Sequence, residues 1–407
     1  MRIVMVGPFG MQPRMTMRVR ALPLGKALVR RGHAVTLLLP PWQNPEDARR
    51  CWEEEGVRVE NVALPSGVPG WFQARLTAHL VRRARQLEPD VVHTFKPKAY
   101  AGLAHLALAR RYPVVVDTDD WEGPGGWNDR SDYPGWLRRF FAWQECWGLR
   151  HADAVTVASR ALETLVWAMG GSPERVLYLP NGVESPPGVG PTRGDGPPTV
   201  LLYTRFFEFE LERLWRILQR MHARRPEVRV LVVGKGFAGE ETQVVQRARN
   251  AGWTVAENTS TETRADLPLA DLVYMGFGTP LNLPACFAAA DVAIYPFDDT
   301  LLNRTKCPVK LLDLLAAGVP VVADAVGQIA EVVVDGVTGR LVRPGDDVAL
   351  VGAVLDLLSN PVRLAEMRPA ARADMVARYV WDLLAGAAED AYLYALQRHP
   401  KQGLRVV

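Results

Sequence analysis

The stretch Asn303-Arg-Thr-Lys-Cys-Pro-Val-Lys-Leu-Leu-Asp-Leu-Leu-Ala-Ala-Gly-Val-Pro-Val-Val322 reads as a loop, a helix and a strand in succession. Lys306, Lys310 and Asp313 are spaced by four and three residues. A helix opening near Pro308 therefore stacks Lys310 and Asp313 on one face. Gly318-Val-Pro320 ends that helix and leads into an apolar strand. Cations at a helix N-terminus oppose its dipole. The placement makes sense where an anion docks among N–H groups and ammonium groups. Asp313, one turn deeper, can accept hydrogen bonds from hydroxyls such as those of a ribose. From these residues alone, a buried α/β helix with snorkelling lysines is an equal reading.

Outward from this stretch, strands alternate with helices. Arg2–Val6 is a β-branched, apolar run broken by Gly7-Pro-Phe-Gly10, and Arg18–Arg31 has helical spacing up to Gly32. Strands follow at Ala34–Leu39, Val57–Val62, Asp90–His93 and Pro113–Val116, with helices around Ala74–Leu87 and up to Arg111. The alternation predicts a doubly wound parallel sheet. Ligands of such sheets bind beyond the carboxyl ends of strands, which marks the loops Gly7–Gly10, His93–Lys98 and Asp117–Gly126. Glu184–Pro198 is rich in Pro and Gly and reads as a hinge. The pattern then restarts with Thr199–Tyr203, a helix over Glu210–Ala223, Val228–Val233, Val273–Gly276, Val292–Tyr295 and Val319–Ala323. Arg378–Gln397 predicts a long amphipathic helix with Trp381, Tyr392 and Tyr394.

A chain of 407 residues is long for one core and implies two domains. No apolar run approaches the roughly 20 residues of a membrane span. Ile3–Val6 meets glycine too soon for a signal peptide. The four cysteines have neither metal-site nor disulfide-framework spacing. A cytoplasmic enzyme is the expectation, with the inner face of the plasma membrane left open as a peripheral location. The net charge is +3, and residues 1–184 hold 24 Lys and Arg against 19 Asp and Glu. This basic half suits an anionic membrane or a phosphorylated acceptor, or is simply solvated arginine. Gly67-Val-Pro-Gly-Trp-Phe72 with Arg75, Arg82, Arg83 and Arg85 reads as an interfacial helix, or as arginines snorkelling over a sheet. No nucleic-acid partner is expected.

Several motifs resemble one family, the retaining glycosyltransferases of family 4. They are Arg30-Arg-Gly-His-Ala-Val35, Asp90-Val-Val-His93, Ala152-Asp-Ala-Val-Thr-Val-Ala-Ser159, Pro180-Asn-Gly-Val183, Ala289-Ala-Asp-Val-Ala-Ile-Tyr-Pro296, Leu312–Val322 and Gly327–Val342. The resemblance implies the GT-B fold, two Rossmann-like doubly wound domains facing across a cleft. It implies an acceptor-side domain of residues 1–184 rejoined by 378–407, a linker at 185–198, and a nucleotide-sugar domain of 199–377. The family carries a Glu-x7-Glu pair, the second Glu holding the ribose. Here Asp313 takes the second position and Thr305 the first. Asp298 or Asp299, on a segment read as extended, is the substitute sugar-facing carboxylate. The family's phosphate-gripping Arg is matched by Arg205 and its Lys is missing, so Lys306 and Lys310 are expected to supply that charge.

These matches imply metal-independent, retaining transfer of a hexose from a UDP- or GDP-linked sugar to a glycan, lipid-linked or small-molecule acceptor. Asp119, Asp120, Arg205, Lys306 and Lys310 are the expected catalytic residues. Gly10, Arg205, Gly276, Phe277, Lys306, Lys310, Leu311 and Asp313 are the expected donor contacts. No cofactor or metal is called for, although Asp117-Thr-Asp119 offers an alternative metal site. A non-catalytic sugar-nucleotide binder is the alternative function. A sugar-nucleotide epimerase would need an acid–base pair that is not evident. A dinucleotide oxidoreductase lacks its Gly-x-Gly-x-x-Gly at Gly7–Gly10.

Overall fold

The structure is a computed structural model that describes residues 1–184, 196–257, 266–276 and 282–399. Most of the expected linker, residues 185–195, lies outside the described residues, as do 400–407. Two compact units emerge. The first comprises Met1–Glu184, Thr305–Cys307 and Val380–Val407; the second comprises Ser185–Arg304 and Pro308–Tyr379.

The first unit is built on strands β1 (Arg2–Val6), β2 (Ala34–Leu39), β3 (Cys51–Glu54), β4 (Val57–Asn61), β5 (Val91–Phe95), β6 (Val114–Thr118), β7 (Ala154–Val157) and β8 (Val176–Tyr178). They lie in the order β3-β4-β2-β1-β5-β6-β7-β8. All pairs are parallel except β3 with β4. Helices cover both faces, which is why the central strands are continuous apolar runs. The antiparallel β3 was not anticipated. It folds back through Glu55-Gly56, both at positive φ (48° and 81°), as a tight hairpin turn requires. The strand order reverses between β1 and β5, and ligands of doubly wound sheets bind at such a point.

The helix Trp381–Arg398 belongs to this unit. Ala385, Ala388, Ala391 and Ala395 are fully buried and let its backbone approach the helix Leu22–Arg30 and strands β7 and β8 closely. Trp381 covers Gly182, where a Cβ would lie 2.7 Å from the indole. Tyr392 Oη meets His93 Nδ1 at 2.8 Å in the core.

The second unit holds β9 (Thr199–Thr204), β10 (Arg229–Gly234), β11 (Val255–Glu257), β12 (Leu272–Tyr274), β13 (Val292–Tyr295), β14 (Val321–Asp324) and β15 (Gly339–Val342). Their order is β11-β12-β10-β9-β13-β14-β15, parallel throughout, and it reverses between β9 and β13. Among the described residues no single helix is long and apolar enough to cross a membrane. The bent pair Asp347–Leu358 and Pro361–Arg378 together has the length and composition. Its Leu350, Val354, Leu364 and Met367 are buried in the core of the second unit.

Candidate active site

In the second unit the reversal point gathers Arg205, just beyond β9, and the helix Val309–Ala316, which follows the β13 loop. Phe206 sits at φ 63°, a left-handed backbone unusual for a bulky residue. The Arg205 guanidinium lies 4.6 Å from the Phe237 ring centre, and Lys310 Nζ lies 4.9 Å from that of Tyr203. Each cation thus rests on an aromatic face. Asp313, one turn after Lys310, is partly buried. Burial pushes its carboxyl up to about 7, against the pull of Lys310. Burial and the Asp313 charge together hold the Tyr203 phenol in its neutral form. Two fixed cations, a hydroxyl and a titrating carboxyl therefore stand at the edge of one parallel sheet. Such a set suits a diphosphate and a ribose.

The first unit carries a second polar cluster at its reversal point. Lys96 and Ala99 both adopt φ 50°, bending the chain sharply after β5. The bend presents two lysines to the loop after β6. Lys96 Nζ lies 3.0 Å from Asp119, 3.1 Å from Asp120 and 3.3 Å from Glu122. Lys98 Nζ meets Glu122 at 2.9 Å and Asn128 Oδ1 at 2.5 Å, with the rings of Tyr133 and Phe141 about it at 5.0 and 4.9 Å. Burial alone would neutralise Lys96, but the three carboxylates hold its pKa well above the ordinary value. Burial raises Asp120 despite Lys96. At Glu122 the same burial is outweighed by Lys96 and Lys98, so its pKa is lowered. Deeper still, burial beside Glu122 pushes Glu145 up to about 8, so it is mostly protonated at neutral pH.

Lys306 stands in this cluster of the first unit. Ser159 Oγ donates to the Thr305 carbonyl at 2.6 Å, and Asn181 Nδ2 donates to the Cys307 carbonyl at 2.7 Å. Asn181 is itself oriented by Arg20 Nη1 at 3.0 Å. Arg20 is fully buried and grips Asp117 at 2.7 and 2.6 Å. Held this way, Lys306 Nζ lies 5.5 Å from the Trp127 ring centre and within electrostatic reach of Asp120.

Two family models match the chain: a glycosyl transferase 4-like domain over residues 16–182 and a glycosyl transferases group 1 domain over residues 197–360. The chain belongs to the family-4 type of glycosyltransferases. A GDP-mannose-dependent alpha-(1-6)-phosphatidylinositol monomannoside mannosyltransferase of Mycolicibacterium smegmatis is 28% identical over 86% of this glycosyltransferase and 88% of its own length. A glycogen synthase of Mycobacterium tuberculosis is 26% identical over 94% and 92%. Among solved structures, sucrose-phosphate synthase from Thermosynechococcus elongatus superposes with a TM-score of 0.72 at 18% identity, covering 96% of this chain and 98% of its own. Anabaena HepE in complex with UDP gives 0.66 at 19% identity, covering 96% and 99%. Both share the GT-B fold with this glycosyltransferase.

The structure separates residues that the sequence grouped. Lys306 and Lys310 do not form one grip on a single domain. The carbonyls on either side of Lys306 are bound by Ser159 and Asn181, which draws Thr305–Cys307 into the first unit, while Lys310 opens a helix of the second. Leu311 cannot offer its side chain to a donor: it is fully buried, and its amide is bound to the Pro308 carbonyl at 3.0 Å. The segment after Asp299 is not extended, because Leu301–Thr305 is a short helix. Asp298 is held by Arg213 at 2.9 Å, in a buried cluster with Asp324 and Asp347 at 2.8 Å each. Asp299 pairs with Arg304. Gly10 lies in the first unit, where a Cβ would come within 2.6 Å of Asn44 Oδ1. Gly276, at φ 69°, accepts the Gly234 amide at 3.1 Å. Phe277 lies outside the described residues.

The basic half keeps its electropositive surface, because Arg20, Lys26, Lys96 and Lys98 are buried but so are the acids Glu60, Asp117, Asp119, Glu122, Glu145 and Glu163. The Lys96–Lys98 pair was missed as site chemistry. Its signal was present as two lysines around a proline directly after an apolar strand. His93 is a core residue: burial, helped by the Arg20 charge, lowers it to about 3.

Proposed function

We propose that this glycosyltransferase moves a hexose from a UDP- or GDP-linked sugar to a glycan or lipid-linked acceptor, with retention at the anomeric carbon and without a metal ion. The observation that carries the proposal is the Arg205, Lys310 and Asp313 set at the reversal point of the second sheet. The guanidinium offers a planar fork to phosphate, Lys310 offers a point charge, and Asp313 offers acceptors to ribose hydroxyls. The two relatives named for nucleotide-sugar and glucan chemistry, each aligned over most of the chain, support this reading. The anomeric C–O bond to the donor phosphate breaks while the acceptor oxygen bonds to the same face. The departing phosphate oxygen takes the acceptor's proton. No side-chain nucleophile is required.

Metal independence rests on charge. A divalent ion beside Arg205 and Lys310 would be repelled by both. In the first unit Asp119, Asp120 and Glu122 already face Lys96 and Lys98. Nucleotide release from UDP- and GDP-sugars, followed with and without chelator, tests the point. Turnover is expected to persist in chelator, and the product's anomeric configuration by NMR is expected to match the donor's. Activity abolished by chelator and restored by Mg²⁺ would refute metal independence, and an inverted product would refute retention.

A further inference from the structure

One helix of the first unit turns a row of aromatic rings outward. Gly135–His151 buries Phe141, Gln144, Glu145, Gly148 and Leu149. Trp136, Phe140, Trp143 and Trp147 follow a different stripe, spaced four, three and four residues apart, the interval that aligns side chains along a helix. Trp136 is 70% exposed and Trp143 46%. From Phe140 onward the rings form a ladder. Phe140 stacks on Trp143 with centroids 5.9 Å apart, Trp143 reaches Trp147 at 6.2 Å, and Trp147 stacks on His151 at 4.6 Å. An exposed apolar row of this length marks an interaction surface.

The charges around it select the partner. Arg138, Arg139 and Arg150 are exposed on the same helix, and Arg130 is exposed just before it. The helix's one acid, Glu145, is fully buried and accepts from Thr118 Oγ1 at 3.2 Å. The two preceding acids, Asp129 and Asp132, are both exposed, with Asp129 accepting the Gly125 amide at 2.7 Å, so four exposed arginines stand against two exposed carboxylates. Indole rings favour the boundary between hydrocarbon and water, and arginine favours lipid phosphate.

The same pairing recurs nearby. The helix Ala99–Leu108 packs against both Gly135–His151 and Trp71–Gln86. The entry to Trp71–Gln86 exposes Val68 and Trp71, with the Arg75 guanidinium 5.7 Å from the Trp71 ring centre. The helix read as interfacial from sequence contributes only this end. Farther along it Arg83 is held by Glu60 at 2.6 and 2.8 Å, and Arg85 by the Ala107 carbonyl at 3.2 Å.

We propose that the Trp136–Trp147 face docks on an anionic lipid bilayer, with the indoles at headgroup level and Arg139 and Arg150, four residues before and seven after Trp143, on lipid phosphates. A second copy of the chain would set these arginines against themselves, and a neutral glycan would make no use of them. The proposal builds on the transferase reading, in that the bilayer would present a lipid-linked acceptor to the first unit.

Co-sedimentation of the full chain with vesicles tests the surface. Phosphatidylcholine vesicles containing phosphatidylglycerol are expected to bind it, and phosphatidylcholine alone to bind it poorly. The double variant Trp136→Ser, Trp143→Ser should lower partition about tenfold or more. Trp136→Phe, Trp143→Phe should retain most of the binding, and Arg139→Gln, Arg150→Gln should lose the preference for anionic lipid. Thermal unfolding and nucleotide release in water should be unchanged in all three. Wild-type protein that ignores anionic vesicles would overturn the proposal, as would serine variants that bind undiminished. So would a dimer by sedimentation that the serine variants dissociate while no vesicle is bound. Wild-type protein that binds vesicles yet turns over no donor would sink the transferase reading and leave the surface standing.

Discussion

Replacing Asp313 by asparagine should stabilise the protein and impair donor binding, with both effects tied to one ionisation. The folded carboxyl titrates at about 7 because burial penalises its charge, against an ordinary value of 3.8. Below about pH 4 the group is neutral in the folded and unfolded chains alike, and the substitution should change little. As pH rises from there the unfolded carboxyl ionises first. The folded state is penalised increasingly up to about pH 7 and by a constant amount above it. A shift of this size corresponds to at most about 4 kcal/mol. Partial exposure of the side chain reduces that, so a gain of about 1–3 kcal/mol is expected for Asp313→Asn at about pH 8. Binding should run the other way. Ribose hydroxyls donate to the ionised carboxylate, whose population falls from roughly nine-tenths at about pH 8 to roughly one-tenth at about pH 6. Wild-type affinity for an intact nucleotide sugar should therefore fall about ninefold over that interval. The diphosphate diester does not titrate there, so the loss belongs to the protein. In Asp313→Asn the affinity should be lower and flat with pH. Denaturant unfolding near pH 4 and pH 8 and calorimetry from about pH 6 to pH 8 would check both arms. Equal stability changes at the two pH values, or a wild-type affinity flat with pH, would refute the buried-carboxylate reasoning.

Arg205→Ala and Lys310→Ala should each weaken nucleotide-sugar binding by about 1.5–3 kcal/mol in calorimetry, since each removes one charge-assisted phosphate contact; unchanged affinity in both would move the donor elsewhere. Arg20→Leu should destabilise the first unit by about 3–5 kcal/mol, because it strands the fully buried Asp117 charge with only the Thr156 hydroxyl at 2.7 Å. Denaturant unfolding would check this, and Arg20→Leu with Asp117→Leu should recover part of the loss.

The sequence by itself determined the layout. Buried parallel strands must be apolar on both faces and the helices between them on one, and that alternation is written locally in runs such as Ile3–Val6 and Val321–Ala323. The spacing of Lys310 and Asp313 was likewise legible, since neighbours on one helix are fixed by the helical repeat. The outward row of Trp136, Phe140, Trp143 and Trp147 was legible too by its spacing, but only burial shows which stripe of a doubly apolar helix faces the core. The β3 hairpin was masked by its short length and two-sided polarity. What only the tertiary structure decided is where charges go when residues far apart in the chain meet. Lys306 joins the first unit because Ser159 and Asn181 bind the carbonyls beside it. Arg20 looks like one of many surface arginines until Asp117 closes on it in the core. The acidic loop after β6 looks like a cluster of carboxylates alone until Lys96 and Lys98 arrive from the loop after β5. Secondary structure follows from near neighbours, whereas the state of a buried charge depends on which partner the folded chain brings within a few ångströms of it.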